Sequence, residues 1–289
     1  MTERNRSRTP APRPTESTAP ARLALADDAP ARPEDFVSDV EIDAMVHEAH
    51  RRMARALARI RRPVARAGLI DTPVGRLFVA EGPRGLIAVA FLDTPGGGAT
   101  LAALRASCDV VDDAEVAARV GREIDLLLAG DSAAVATHPV DLSLVASPFR
   151  RRALEHLRRV PAGAVVSYQA LADAIGAPDG QRAIGNTMAS NPVPIYVPCH
   201  RVIRSDGAIG NYGGGVERKL SLLRAEGFEI GPDRRLPSQA VLGHRRTGIF
   251  CRPGCAAARR ASRSRWMIFA DAAHACGAGM RPCKLCRPS

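Results

Sequence analysis

The 289-residue sequence has no run of about 18 apolar residues, which excludes a conventional membrane-spanning helix. Its first residues, MTERNRSRTPAPRPTESTAP, lack the apolar core of a secretory signal. Cysteine is sparse. Seven residues are too few for a disulfide scaffold, and the usage fits a cytosolic chain with reduced thiols. A wholly disordered chain is excluded as well, because 46% of the residues are apolar. Acidic residues are missing from one region above all. Residues 240–289 carry ten basic side chains and one acidic one, a local charge of +9. Residues 1–63, 64–142 and 143–239 carry +2, −5 and +5. The overall +11 therefore lies in the second half. Such one-sided charge suggests a polyanion partner, although an Arg- and Ala-rich composition produces the same sum without one.

Residues 1–35 are rich in Pro, Ala, Thr and Arg without apolar periodicity, and read as a disordered tail. A helix is expected across 36–63. Ser38 and Glu41 form a capping box, with Val37 and Ile42 at the staple positions. Ile42, Met45, Val46, Ala49, Met53, Leu57 and Ile60 recur at helical spacing as a packing face. Residues 64–142 change character: GLIDTP, RLFVA and GLIAVAF, separated by PVG and EGPRG, read as an antiparallel meander. Residues 112–130 read as a helix ending at Gly130. From 143 the pattern turns helical again. Ser147-Pro148 opens one helix, Ser167 caps a second that ends at Gly176, and Pro178-Asp-Gly opens a third. The last two, joined by a tight turn, form either a helix-turn-helix or an ordinary structural helix pair.

The stretch SNPVPIYVPCHRVIRSDGAIGNYGGG carries the chemistry. Pro192, Pro194 and Pro198 stiffen the approach to Cys199, since each fixes φ and removes a backbone donor. His200 and Arg201 follow directly, and neighbouring proton acceptors and cations favour a thiolate nucleophile. Taken alone, a Cys-His dipeptide is weak evidence, because a buried cysteine is more often a small hydrophobe.

PCHRV, with NPVPI, the upstream VPAGAVVSYQALA and QRAIGNTM, and the downstream SDGAIGNYGGGVERKLSLLRAEG, resembles the O6-alkylguanine-DNA alkyltransferases, also called methylated-DNA–protein-cysteine methyltransferases. The resemblance runs from about Phe149 to Glu226 with spacing intact. It implies an α+β fold: a small ribonuclease-H-like sheet domain over 64–142, then a winged-helix-like helix-turn-helix catalytic domain over 143–233. It also implies roles. Cys199 is the alkyl acceptor, His200 the base acting through a water, and Glu226 the group orienting the imidazole. Asn191 braces the active-site turn. Tyr168 donates a proton toward the purine, or else is a helix residue packed on the core. Arg182 fills the space of an extruded nucleotide, or contacts phosphate. Lys219 lines the pocket margin, Gly213 and its neighbours bring backbone amides to the flipped base, and Arg201 belongs to the DNA-contacting set. The family often has Ser where Gly213 stands. The implied reaction is single-turnover transfer of a methyl group from O6-methylguanine, and also O4-methylthymine, to Cys199. It needs base flipping and no cofactor.

In the last segment, 234–289, Cys251-x3-Cys255 and Cys283-x2-Cys286 are two close pairs. Four thiolates so spaced fit a tetrahedral zinc site; disulfides are the alternative, disfavoured by a cytosolic location. A segment with few large apolar groups benefits from such a staple. Cys276 and His274 read as core or surface residues, not ligands. TGIFCRP-C and GxRPCKxCxP resemble the metal-binding domain of Ada proteins, which implies structural zinc. In that family the cysteine matching Cys251 also accepts methyl from DNA methylphosphotriesters. The expected protein is a monomeric, cytoplasmic, nucleoid-associated partner of double-stranded DNA containing alkylated bases, with no membrane association. Two other readings are a methylation-responsive regulator acting through Cys251, and a non-catalytic alkylguanine binder.

Overall fold

The computed structural model describes residues 38–60, 62–260 and 265–288. The expected tail and Val37 lie outside them. Two compact units divide the chain at Ile60. The first contributes one helix, α1 (Asp39–Ile60). Its capping box is present: Ser38 Oγ accepts from the Glu41 amide and the Ser38 amide donates to Glu41 Oε2 at 2.9 Å. The apolar stripe is not buried, however. Ile42, Met45, Val46, Met53 and Leu57 are all exposed, so the periodicity marks a helix without marking a core.

The second unit opens with the meander: β1 (Val64–Thr72), β2 (Gly75–Gly82) and β3 (Gly85–Phe91). Gly75 and Gly85 make its two tight turns at φ +114° and +116°. Helix α2 (Pro95–Ser107) then crosses to β4 (Asp109–Asp112), which joins β1 in parallel and gives the order β3-β2-β1-β4. Helix α3 (Ala114–Leu128) starts where the Asp113 carboxylate accepts two backbone amides. Its Val116, Val120, Ile124 and Leu127, one helical face, are buried against the sheet. A short α4 (Ala133–Thr137) leads out.

The helical region follows the sequence punctuation closely. Ser147 Oγ caps α5 (Pro148–Leu157), and β5 (Ala164–Ser167) leads to α6 (Tyr168–Ala174), capped by Ser167. Helix α7 (Gln181–Ala189) follows the Pro178–Gly180 turn. A single 3₁₀ turn at Cys199–Arg201, strand β6 (Val202–Ile203) and helix α8 (Val216–Ala225) complete this part.

The C-terminal segment supplies β7 (Val241–His244), β8 (Ile249–Cys251), α9 (Ala256–Arg259), β9 (Trp266–Phe269), α10 (Ala272–Gly277) and β10 (Arg281–Pro282). It is not a bead on a linker. Strand β9 pairs antiparallel with β5, Ala164 opposite Phe269 and Val165 opposite Ile268. One six-stranded sheet therefore runs β10-β8-β7-β9-β5-β6. Val241, Phe250, Met267 and Phe269 pack in the same core as Leu157, Val160 and Ala164. Gly163 and Gly227, both at positive φ, lie so close to the His274 ring that neither could carry a side chain without displacing it.

Candidate active site

Cys199 is buried at the start of the 3₁₀ turn, directly after Pro198. The turn is held from below by Asn191. Its Nδ2 donates to Val197 O at 2.8 Å and lies 3.2 Å from Cys199 Sγ, and its Oδ1 accepts from the Val193 amide. The first sheet and the helix packed on it also support the turn: the Val89 amide of β3 donates to Pro192 O at 2.8 Å, and the Tyr196 hydroxyl donates to Glu123 of α3 at 2.6 Å. Ile195, a β-branched residue, sits at φ +76° between these anchors, a conformation costing about 1–3 kcal/mol.

His200 is fully buried. Its Nε2 lies 2.8 Å from Glu226 Oε1, at the C-terminal end of α8. With the carboxylate accepting from Nε2–H, Nδ1 carries the lone pair, and Nδ1 is buried without a protein partner among the described residues. Glu226 is shared. Arg201 donates to both of its oxygens, through Nε at 3.0 Å and Nη2 at 2.6 Å, and through Nη1 to Val160 O. Burial works against the Glu226 charge, but Arg201 and His200 overcome it and hold the carboxyl down at about 2. For His200 burial prevails over Glu226, and its basicity falls below the usual imidazole value. Burial pushes the Cys199 thiol up, while Asn191, Tyr212 and Lys219 work the other way.

A cleft of about 40 Å³ opens above Cys199, lined by Phe91, Thr94, Gly97, Met188, Tyr212 and Gly213 among others. The Tyr212 hydroxyl is 3.8 Å from Sγ. Burial raises the phenols of Tyr212 and Tyr168, and Cys199 adds to both shifts, so both remain protonated donors.

Residues 148–228 match the family described as 6-O-methylguanine DNA methyltransferase, DNA binding domain, and residues 231–289 match the metal binding domain of Ada. The methylated-DNA–protein-cysteine methyltransferase of Mycobacterium leprae is 32% identical over 173 residues, covering 56% of this chain and 92% of the relative. The chain belongs to this family. The bifunctional transcriptional activator/DNA repair enzyme Ada of Escherichia coli K12 is 34% identical over 161 residues, 56% of this chain. That match spans 45% of Ada's own length, so less than half of that relative is represented. A crystal structure of Mycobacterium tuberculosis OGT in complex with DNA aligns at 30% identity and TM-score 0.46, over 56% of this chain and 92% of that one.

Of the expected site residues, the structure brings Asn191 to the Cys199 sulfur and Glu226 to the His200 imidazole, with Cys199 and His200 adjacent in one turn. Tyr168 stands half-buried at the first turn of α6, near enough for Cys199 to influence it. Arg182 is exposed near the start of α7, and Gly213 is exposed at the cleft, where an added Cβ would make only ordinary contact with Ala189. Two expectations are corrected. Arg201, expected to face DNA, is buried with its guanidinium committed to Glu226 and Val160; an Arg beside a buried carboxylate is worth more as its counter-ion than as a surface charge. Lys219, expected at the pocket margin, is also fully buried. Its Nζ donates to the carbonyls of Val202 and Ile209 at 2.7 Å and of Asn211 at 3.4 Å, tying the strand and the glycine loop beneath the cleft. Burial lowers its pKa to about 8. Tyr212 was not singled out from the sequence, and its place just before Gly213 within the matched stretch was the available signal.

The four C-terminal cysteines converge. The Sγ atoms of Cys251, Cys255, Cys283 and Cys286 all lie within 4.8 Å of one another, close enough to converge on one tetrahedral zinc with ligands at about 2.3 Å. The surroundings divide the four thiols: burial pushes Cys251 and Cys286 up, whereas Cys255 and Cys283 are held down. Backbone amides of Cys286 and Leu285 hold the Cys283 thiol down at about 7. Burial opposes ionisation of Cys255, but the amides of Ala258 and Ala257 still leave it below the usual thiol value. His274 and Cys276 stand outside the cluster, His274 bonded to Asp271. No helix among the described residues is long and apolar enough to cross a membrane.

Proposed function

We propose that the protein is a single-use DNA repair methyltransferase. It takes the methyl group of O6-methylguanine, and of O4-methylthymine, from double-stranded DNA onto Cys199. The observation that carries this reading is His200, buried directly after Cys199, with Nε2 held by Glu226 and Nδ1 left to accept a proton. His200 Nδ1 takes the thiol proton through one water, and Glu226 steadies the imidazolium through Nε2–H. The thiolate attacks the methyl carbon in line, the carbon–oxygen bond breaks, and the guanine leaves with proton donation from Tyr168. The methyl lies within the base stack, so the nucleotide must first be extruded. Arg182, on the exposed face of α7, fills the space it vacates. The product thioether has no group beside it able to hydrolyse it, so each chain acts once.

Zinc held by Cys251, Cys255, Cys283 and Cys286 keeps four thiols ionised and fastens the segment. A monomeric, cytoplasmic and nucleoid-associated protein belongs to the same reading. The test is intact mass spectrometry of the zinc-loaded protein after exposure to duplex DNA containing O6-methylguanine. A gain of one methyl group that vanishes in Cys199→Ala is the expected result, and no gain in the wild type overturns it. A second methyl from randomly methylated DNA would reveal Cys251 as a further acceptor, the regulator-like alternative.

A further inference from the structure

The ladder between β5 and β9 has a consequence at its open end. Beyond Ser167 on one side and Trp266 on the other, the helical domain and the zinc segment form the two walls of a groove of about 690 Å³. One wall is the first turn of α6 and the turn after β6, with Gln169, Arg204 and Ser205; the other is the Cys255–α9 region, with Arg259. Trp266 and Ile268 form an apolar floor. No acidic side chain among the described residues lines the groove. Arg204 does meet Asp206 at 3.1 Å, but its side chain remains 63% exposed. Arg259 is exposed, as are Arg252 and Arg260 beside it. The groove begins in the same helical turn that carries Tyr168, beside Gln169 and Ala170.

We propose that this groove is a second seat for duplex DNA: it grips the sugar-phosphate backbone of the same duplex that α7 holds, with phosphates between Arg204 and Arg259 and sugars over Trp266. The inference rests on the DNA-repair reading above. Its physical basis is charge complementarity on a rigid frame. The first wall adjoins β5 and β6 and the second packs, through Cys255 and Ala258, on Leu242 and Trp266 of β7 and β9 in the same sheet, so no ordering of a linker opposes binding. Arginine suits the task because its planar guanidinium pairs with phosphate oxygens and remains charged throughout. The zinc segment thereby lengthens the footprint of the methyltransferase on DNA instead of sampling a separate site.

The chain contains one tryptophan, and it lies on the floor of this groove, which gives a direct probe. The experiment titrates zinc-loaded full-length protein with an unmodified DNA duplex, following Trp266 emission and, by anisotropy of labelled duplex, the affinity across a salt series. Binding is expected to change Trp266 emission. Arg204→Glu and Arg259→Glu are each expected to weaken binding several-fold and to flatten the slope of log affinity against log salt by about one, the loss of one phosphate contact. Arg76→Glu, on the exposed face of β2, is the control and leaves both unchanged. Arg259→Lys retains most of the salt slope. Unaltered Trp266 emission at saturating duplex, or wild-type salt slopes in both groove variants, overturns the proposal. Its failure and that of the repair reading are separable: loss of methyl transfer by the wild type sinks the repair reading, whereas normal transfer with a DNA-silent Trp266 sinks only the groove.

Discussion

Arg201 and Glu226 form a two-pronged ion pair in which the side chains are 8% and 1% exposed, and the same carboxylate orients His200. Removing one partner of such a pair leaves an uncompensated buried charge. Arg201→Ala is expected to destabilise the fold by about 3–5 kcal/mol, measured by urea unfolding of the zinc-loaded protein. The pH dependence has a definite sign. Because the Glu226 carboxyl is held down at about 2 in the folded chain, its contribution is complete above the ordinary carboxylate value of about 4.3. It is lost as pH falls from there through about 2. Glu226→Gln should flatten the acid limb of the stability curve in that window.

The thiol of Cys199 is raised and the imidazole of His200 lowered, and both shifts widen the range over which the pair is neutral. The single-turnover rate of methyl transfer should therefore be level between about pH 6.5 and 8.5, the ordinary values of the two groups. In His200→Gln the rate should instead climb about tenfold per pH unit, following the thiolate. A wild-type rate rising tenfold per unit across this range would contradict proton transfer to His200.

Lys219 offers a test of its corrected placement. Lys219→Met strands the carbonyls of Val202 and Ile209, and a cost of about 1–3 kcal/mol is expected in thermal or urea unfolding. Its affinity for undamaged duplex at low temperature should match the wild type, because Nζ faces those carbonyls and not solvent. A surface DNA contact would show the opposite pattern, with weaker binding and unchanged stability.

Zinc removal should be felt beyond the cysteine cluster. Chelation of the full-length protein is expected to lower the melting temperature and to speed amide hydrogen exchange along β5, since β9 is its sheet partner. An independently folded segment would leave β5 protected as before.

Gly163→Ala probes the same junction without touching the metal. At φ +70° a Cβ would fall on the His274 ring, and the variant should lose more than about 1 kcal/mol with zinc bound. Unchanged stability would mean that His274 moves aside freely.

The sequence made the local features legible because they depend on neighbours in the chain. Ser147 and Ser167 cap helices through amides three residues away, and the meander turns carry their own glycines. Helix α2 escaped notice because it starts Pro95-Gly-Gly-Gly, a pattern that reads as loop until Thr94 Oγ1 is seen capping the Gly97 amide. The α1 stripe shows the converse: periodicity announced a packing face, while Met45 and Leu57 are exposed.

By itself the sequence determined the candidate acceptor Cys199 with its neighbours, the family, and the four cysteines that could hold a metal, since residue type and short spacing carry those chemistries. Tertiary structure alone decided that Arg201 and Lys219 face inward, because α8 packs on the Cys199 turn so that Glu226 at its end meets Arg201 and Lys219 on it meets the carbonyls of Val202 and Ile209. It also decided that the zinc segment is built into the catalytic sheet. The pairing of Val165 with Ile268 joins residues about a hundred positions apart through backbone hydrogen bonds, which no side-chain pattern encodes.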